Sequence, residues 1–323
     1  MTLGAPTLGR SVSVGLHRSV EIIGLFLDRS QMCPLTANIE LRWRDGGTQD
    51  ELFQTRSLLA LVVPHAYRWR SLEIVMSEGA VFEVVRQVLG GCIAPFLSHL
   101  GLECTGHKES TPLPLILECP RLRSAACDDY RPLPEVLTLR HLLFCLSLAG
   151  PPIATVDPLP NFPELKILAL KVRQDAVEEM MTLLARAQLP SLSFINLVIC
   201  SQSFGEATHS LLPIDLPTVT HLYLRAACPS ISASTLLCFR HVIRQLSNLD
   251  YLEVQPKFDI NSLLAEPDSA LLPKLQTLAC DEPLTTDILN WINARQAGYE
   301  NQGIDVVPLS QGWVPNLEYD YRL

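Results

Sequence analysis

Apolar positions in the second half of the chain recur in one phrase, a proline followed by apolar residues two, five and seven positions later. It runs from Pro163 through Leu165 and Leu168 to Leu170, and again from Pro190 through Leu192 and Ile195 to Leu197. It returns at Pro217 (Val219, Leu222, Leu224), at Ser247 (Leu249, Leu252, Val254) and at Pro273 (Leu275, Leu278, Cys280). The first apolar positions lie 27, 27, 30 and 26 residues apart. The first half carries the pattern less regularly. Trp69, Leu72 and Ile74 are followed by Leu97, Leu100 and Leu102, by Leu122, Ala125 and Cys127, and by Leu139, Leu142 and Phe144. The spacings there are 28, 25 and 17, and the shortest leaves no room for a helix. Pro34 to Leu41 reads as an earlier, divergent strand.

The end of each phrase alternates apolar and polar, which is the period of a strand that buries one face. Between phrases the period becomes helical. Ala176–Ala187 is the clearest such stretch, and Ser232–Gln245 opens on Ser232 or Ser234 as N-cap. Thr286 and Asp287 open a third helix, and Ala80–Leu89 and Val20–Asp28 are candidates in the first half. One strand with its return segment cannot bury its apolar side alone, but stacked neighbours share a continuous core. The period sits in or just beyond that of leucine-rich repeats. The fold expected is therefore α/β, a leucine-rich-repeat-like solenoid or horseshoe with parallel strands and helical or irregular return segments. A doubly wound α/β fold is the alternative, but no glycine-rich first strand-to-helix turn is present. The divisions expected are a disordered N-terminal tail over residues 1–18, a helical capping region over 19–60 and the solenoid over 61–323. Leu168, Ile195, Leu222, Leu252 and Leu278 should line up as a buried ladder.

Charge changes the picture only in the second half. Residues 1–150 carry 14 basic and 15 acidic side chains against 11 and 19 in residues 151–323, so nearly all of the net charge of −9 lies there. That balance argues against nucleic acid or an anionic membrane as the main partner, because both require a dense cationic footprint. The ten cysteines are dispersed, with no Cys-x-x-Cys pair, and several occupy apolar strand positions, so they read as reduced core thiols. No apolar signal segment, no Asn-x-Ser/Thr acceptor and no apolar run long enough to span a bilayer occurs. The location expected is cytoplasmic or nuclear.

Candidate chemistry is sparse. Gly101 to Ser110 nearly spells a phosphate-binding loop, but His107 interrupts it and Pro112 and Pro114 follow where a helix should start. His99, Cys104 and His107 lie close in sequence but lack a fourth ligand nearby. Neither Gly-x-Ser-x-Gly nor His-Glu-x-x-His is present. No catalytic, cofactor-binding or metal-ligating residue is assigned, and the chain reads as a binding protein, not an enzyme.

The stretch Ile22–Leu41, then Pro64 to Ile74 with its His65, Arg68 and Trp69, then the leucine-rich series, resembles the post-F-box region of mushroom-type fungal F-box-like proteins. The resemblance runs from about residue 19 to about residue 320, and no Leu-Pro-x-Glu-Ile/Leu stretch of F-box type is visible in residues 1–18. It implies the substrate-recognition part of a ubiquitin ligase adaptor, with cullin-type ligase components as partners if an F-box lies upstream. A free-standing scaffold or a degenerate paralogue without a ligase role is the alternative. In either case a protein partner is expected, and it should meet the outward strand positions. These are Ile167, Ala169 and Lys171; Phe194, Asn196 and Val198; His221, Tyr223 and Arg225; Tyr251, Glu253 and Gln255; Thr277, Ala279 and Asp281. Within them Phe194, His221, Tyr223, Arg225, Tyr251 and Glu253 should form the centre, since aromatic and arginine side chains dominate binding hot spots.

Overall fold

The computed structural model describes residues 11–15, 20–30, 33–41, 49–76, 79–104, 117–127, 139–146, 161–200, 212–228, 230–265, 271–298 and 304–307. In chain order the elements begin with strand β1 (Ser11–Gly15), helix α1 (Val20–Arg29), β2 (Leu35–Leu41), α2 (Gln49–Val62), β3 (Trp69–Met76) and α3 (Gly79–Leu89). Then come β4 (Cys92–Ile93), β5 (His99–Cys104), β6 (Leu117–Glu118), β7 (Ser124–Cys127), β8 (His141–Leu146) and β9 (Ile167–Val172). The second half holds α4 (Val177–Arg186), β10 (Phe194–Ile199), β11 (His221–Ala226), α5 (Ala233–Gln245), β12 (Tyr251–Val254), α6 (Ile260–Leu263), β13 (Thr277–Ala279), α7 (Thr286–Gly298) and β14 (Asp305–Val307).

Among the described residues twelve strands form one sheet, and β4 with β6 forms a separate pair. Every pairing is parallel. The strands of the large sheet follow one another in chain order from β1 to β14, with no strand crossing to another place. A doubly wound sheet reverses its strand order part-way, and this one does not. The protein is thus an α/β chain built on a large sequential parallel sheet.

Register supplies the expected ladder. Leu142, Leu168, Ile195, Leu222, Leu252 and Leu278 are successive partners, and none is more than 2% exposed. Leu170, Leu197, Leu224 and Val254 make a second ladder two residues on, also buried. The helices close the core against these rows. α4 buries Val177, Met180, Met181, Leu183 and Leu184 and keeps Glu178 and Glu179 in its first turn. α5 starts at Ser232, whose Oγ accepts a hydrogen bond from Thr235 N at 3.2 Å, so the residue types that favour a cap fix where the helix begins. Gln174 secures that start from two strands away. Its side chain donates to Ser230 O at 2.7 Å and accepts from Ser232 N at 3.0 Å. α3 ends at Gly90, whose N donates to Arg86 O at 2.8 Å and whose absent Cβ would lie 2.7 Å from that same oxygen.

The two phrases that carry the family resemblance touch. Arg68 is buried, and its guanidinium donates to Leu27 O at 3.3 Å and Ser30 Oγ at 3.1 Å at the end of α1. A cation at the carbonyl end of a helix is electrostatically favourable. Burial, then the Arg68 charge, lower the pKa of His65 in the same turn.

The sheet also takes in residues that precede residue 61. Ser11–Gly15, placed in a disordered tail, forms β1 and pairs with β2. Leu35–Leu41, within the stretch read from the sequence as an earlier, divergent strand, form β2 in the same sheet. The β1 sequence has no anchoring proline or leucine phrase, and its conformation is set by the edge that β2 offers.

Candidate interaction face

Alternation sends three rows of side chains to the face opposite the leucine ladders. In the second half the first row is Ile167, Phe194, His221, Tyr251 and Thr277, and the middle row is Ala169, Asn196, Tyr223, Glu253 and Ala279. Lys171, Val198 and Arg225 make the third row. Register therefore brings the six expected centre residues together on β10, β11 and β12.

Their rings stack. Phe194 and Tyr223 have ring centroids 4.5 Å apart, Tyr223 and Tyr251 5.3 Å, and His221 and Tyr251 5.7 Å. Beside the rings Arg225 pairs with Glu253 at 3.3 Å, the Tyr251 hydroxyl donates to Glu253 at 3.1 Å, and Arg225 lies over the Tyr223 ring at 5.8 Å. Parallel strands about 4.8 Å apart bring large rings on neighbouring strands into contact, stacked for Phe194 with Tyr223 and His221 with Tyr251 and tilted for Tyr223 with Tyr251.

That packing corrects the expectation of exposure. Phe194, Tyr223 and Glu253 are only 7%, 3% and 2% exposed, and Asn196, Ala169 and Ala279 are buried as well. A middle-row residue is flanked on its own strand and on both neighbouring strands, so it is enclosed. The accessible positions are in the outer rows, where Ile167, Lys171, Val198, His221, Arg225, Tyr251, Gln255 and Thr277 are half-buried, and at the exposed Asp281. Phe194, Tyr223, Ala169 and Ala279 are buried without belonging to the main core, and they form a second apolar layer on the other side of the sheet.

Electrostatics follow the burial. The Tyr223 phenol is pushed well above the usual range, by burial first and then by Tyr251 and Glu253. Burial lowers the pKa of His221, against the pull of Asp250. Two buried polar atoms, Asn196 Oδ1 and Arg225 Nε, have no hydrogen-bond partner among the described residues. An unmade bond at such an atom costs about 1–3 kcal/mol.

The other candidates carry less. Gly101 lies within β5, facing Glu73, where a Cβ would come 3.0 Å from Glu73 Cγ. Close strand approach accounts for this glycine without a phosphate. Residues 105–110 of that phrase, His107 among them, lie outside the described residues. Among the described residues no three His, Cys, Asp or Glu side chains gather as metal ligands. Cys119 and Cys238 are free thiols whose pKa burial raises to about 11, the opposite of a reactive thiolate. No described helix is long and apolar enough to cross a membrane.

Compared with known protein families and with curated proteins, the chain matches none of them.

Proposed function

We propose that the chain is a leucine-rich-repeat solenoid that binds a protein partner through the outward face of β9–β13. On this reading it is the substrate-recognition part of an F-box-type ubiquitin ligase adaptor. The observation that carries the binding reading is the ring cluster of Phe194, His221, Tyr223 and Tyr251 with the Arg225–Glu253 pair. These rings lie outside the main core, which is on the other side of the sheet. The cluster is enclosed at its centre, and its half-buried rim of His221, Arg225 and Tyr251 offers a partner the aromatic and arginine side chains enriched in interface hot spots. The ligase role rests on the family resemblance alone, and the protein would work in the cytoplasm or nucleus. A free-standing scaffold is the second reading, and it shares the same face.

The test is affinity capture from native lysate with mass spectrometry, comparing the wild type with His221→Ala/Thr277→Arg. Both positions are half-buried in the first outward row. A captured protein that is lost from the variant, at an unchanged thermal midpoint, supports the face. Cullin-type ligase subunits among the captured proteins support the adaptor, and their absence turns the reading to a scaffold. Retention of every captured protein by the variant rejects the face.

A further inference from the structure

The position just after the opening apolar residue of each phrase makes a row of its own along the strand starts. Backbone bonds join it without a break: Ser98 N donates to Arg70 O at 2.9 Å, Arg123 N to Ser98 O at 2.9 Å, Arg140 N to Arg123 O at 2.8 Å, and Lys166 N to Arg140 O at 2.9 Å. Four of these five successive positions are cationic, and Arg70, Arg123, Arg140 and Lys166 are all exposed. At the usual strand spacing the row from Arg70 to Lys166 is about 19 Å long. Arg140 pairs with Glu164 at 3.3 Å. Arg70, Arg123 and Lys166 form no ion pair among the described residues. Further along, the same row holds Ser193, Thr220, Asp250 and Gln276 and loses its positive charge.

On a chain of net charge −9 this is a local inversion of sign. Neighbouring imidazoles register it. The pKa of His99 is lowered by burial and then by Arg123, against Glu73. That of His141 is lowered by burial and then by His99, Arg140 and Lys166.

We propose that Arg70, Arg123 and Lys166, with Arg140 between them, dock an extended acidic segment of a protein partner, rich in Asp and Glu. About six extended residues span the row, and long flexible cations can reach carboxylates on alternate residues. A nucleic acid fits less well, because the row is one side chain wide and falls short of the dense cationic footprint that a phosphate backbone requires. The proposal rests on the protein-binding reading but needs neither the aromatic cluster nor a ligase role.

The experiment measures fluorescence anisotropy of a labelled Asp/Glu octapeptide, and of its Asn/Gln counterpart, with the full chain at low and high salt. Binding of the acidic peptide should weaken by about tenfold or more at high salt, as expected for exposed charge pairs. Arg123→Glu/Lys166→Glu should weaken it by a similar factor, and Lys257→Glu/Lys274→Glu, exposed in the other half, should leave it unchanged. Should the first variant lower the thermal midpoint, Arg70→Gln/Arg123→Gln replaces it with the same expectation. Equal binding of the Asn/Gln peptide, no binding by the wild type, or full retention by the row variants overturns the proposal. Tighter binding of a single-stranded oligonucleotide, lost in the same variants, assigns the row to nucleic acid instead. His221→Ala/Thr277→Arg should keep the acidic peptide, so failure of the aromatic face and failure of this row are separate results.

Discussion

Between β9 and β13 the middle outward row carries Asn196, Tyr223 and Glu253, enclosed by rings and an ion pair, whereas between β2 and β7 the same row carries Asn38, Glu73, Gly101 and Ala126. The inward rows of both halves are alike. Ile39, Ile74 and Leu102 are as buried as Leu197 and Leu224. Among the described residues, the outward row of the first half carries a hydrogen bond from Asn38 to Glu73 at 3.2 Å. The comparison separates two duties. Inward residues keep the strands stacked and so vary little in kind. Outward residues are released from that duty, and each half uses them differently: aromatic and acidic in the second, small and polar with a cationic margin in the first.

The largest break in this comparison should come from the core ladder. Leu222→Ala should destabilise by about 2–5 kcal/mol, the cost of a large buried truncation. Ala125→Gly, at the equivalent inward position in the first half, should cost about 1 kcal/mol. Denaturant midpoints would measure both losses, and a Leu222→Ala chain as stable as the wild type would show that Leu222 does not belong to the buried ladder. Next come the outward rows. Tyr223→Ala should lower stability by about 3 kcal/mol, against about 1 kcal/mol for Asn38→Ala, which removes one partly buried hydrogen bond. A Tyr223→Ala chain as stable as wild type would mean that the second apolar layer contributes nothing.

A smaller effect should appear with pH. His65, His99, His141 and His221 all have lowered pKa values. The unfolded chain therefore binds more protons than the folded one as pH falls through the ordinary imidazole pKa of about 6.5, and stability falls with it. The thermal midpoint should drop between pH 7.5 and pH 5.5. His99→Gln/His141→Gln should flatten that dependence more than His221→Gln, since two of the four groups are then removed. The smallest effect is expected for Arg123→Gln/Lys166→Gln, whose exposed charges should change stability by less than about 0.5 kcal/mol. In that variant His141 should titrate at a higher pH by NMR, because the Lys166 charge is gone while the burial remains.

Much of the architecture was legible because its cause is local. Leu168 to Leu278 repeat at a spacing that permits one strand and one return segment, and alternation within each phrase assigns its inward side. Ser232 and the apolar period after it located α5 to within a residue. Less legible were β1, which lacks the phrase, and the cationic row, whose members are isolated in sequence by 17 to 53 residues. Aligning the position after each opening apolar residue would have exposed that row, whereas reading each phrase for its apolar positions passed over it.

The sequence by itself determined that parallel strands recur and which residues face inward, because both follow from short-range periodicity. It also determined that Phe194, Tyr223 and Tyr251 share one face. Only the tertiary structure decided how much of that face remains open. Exposure depends on neighbours one strand away, some 27 residues distant in the chain, whose rings either stand apart or, as here, close over one another.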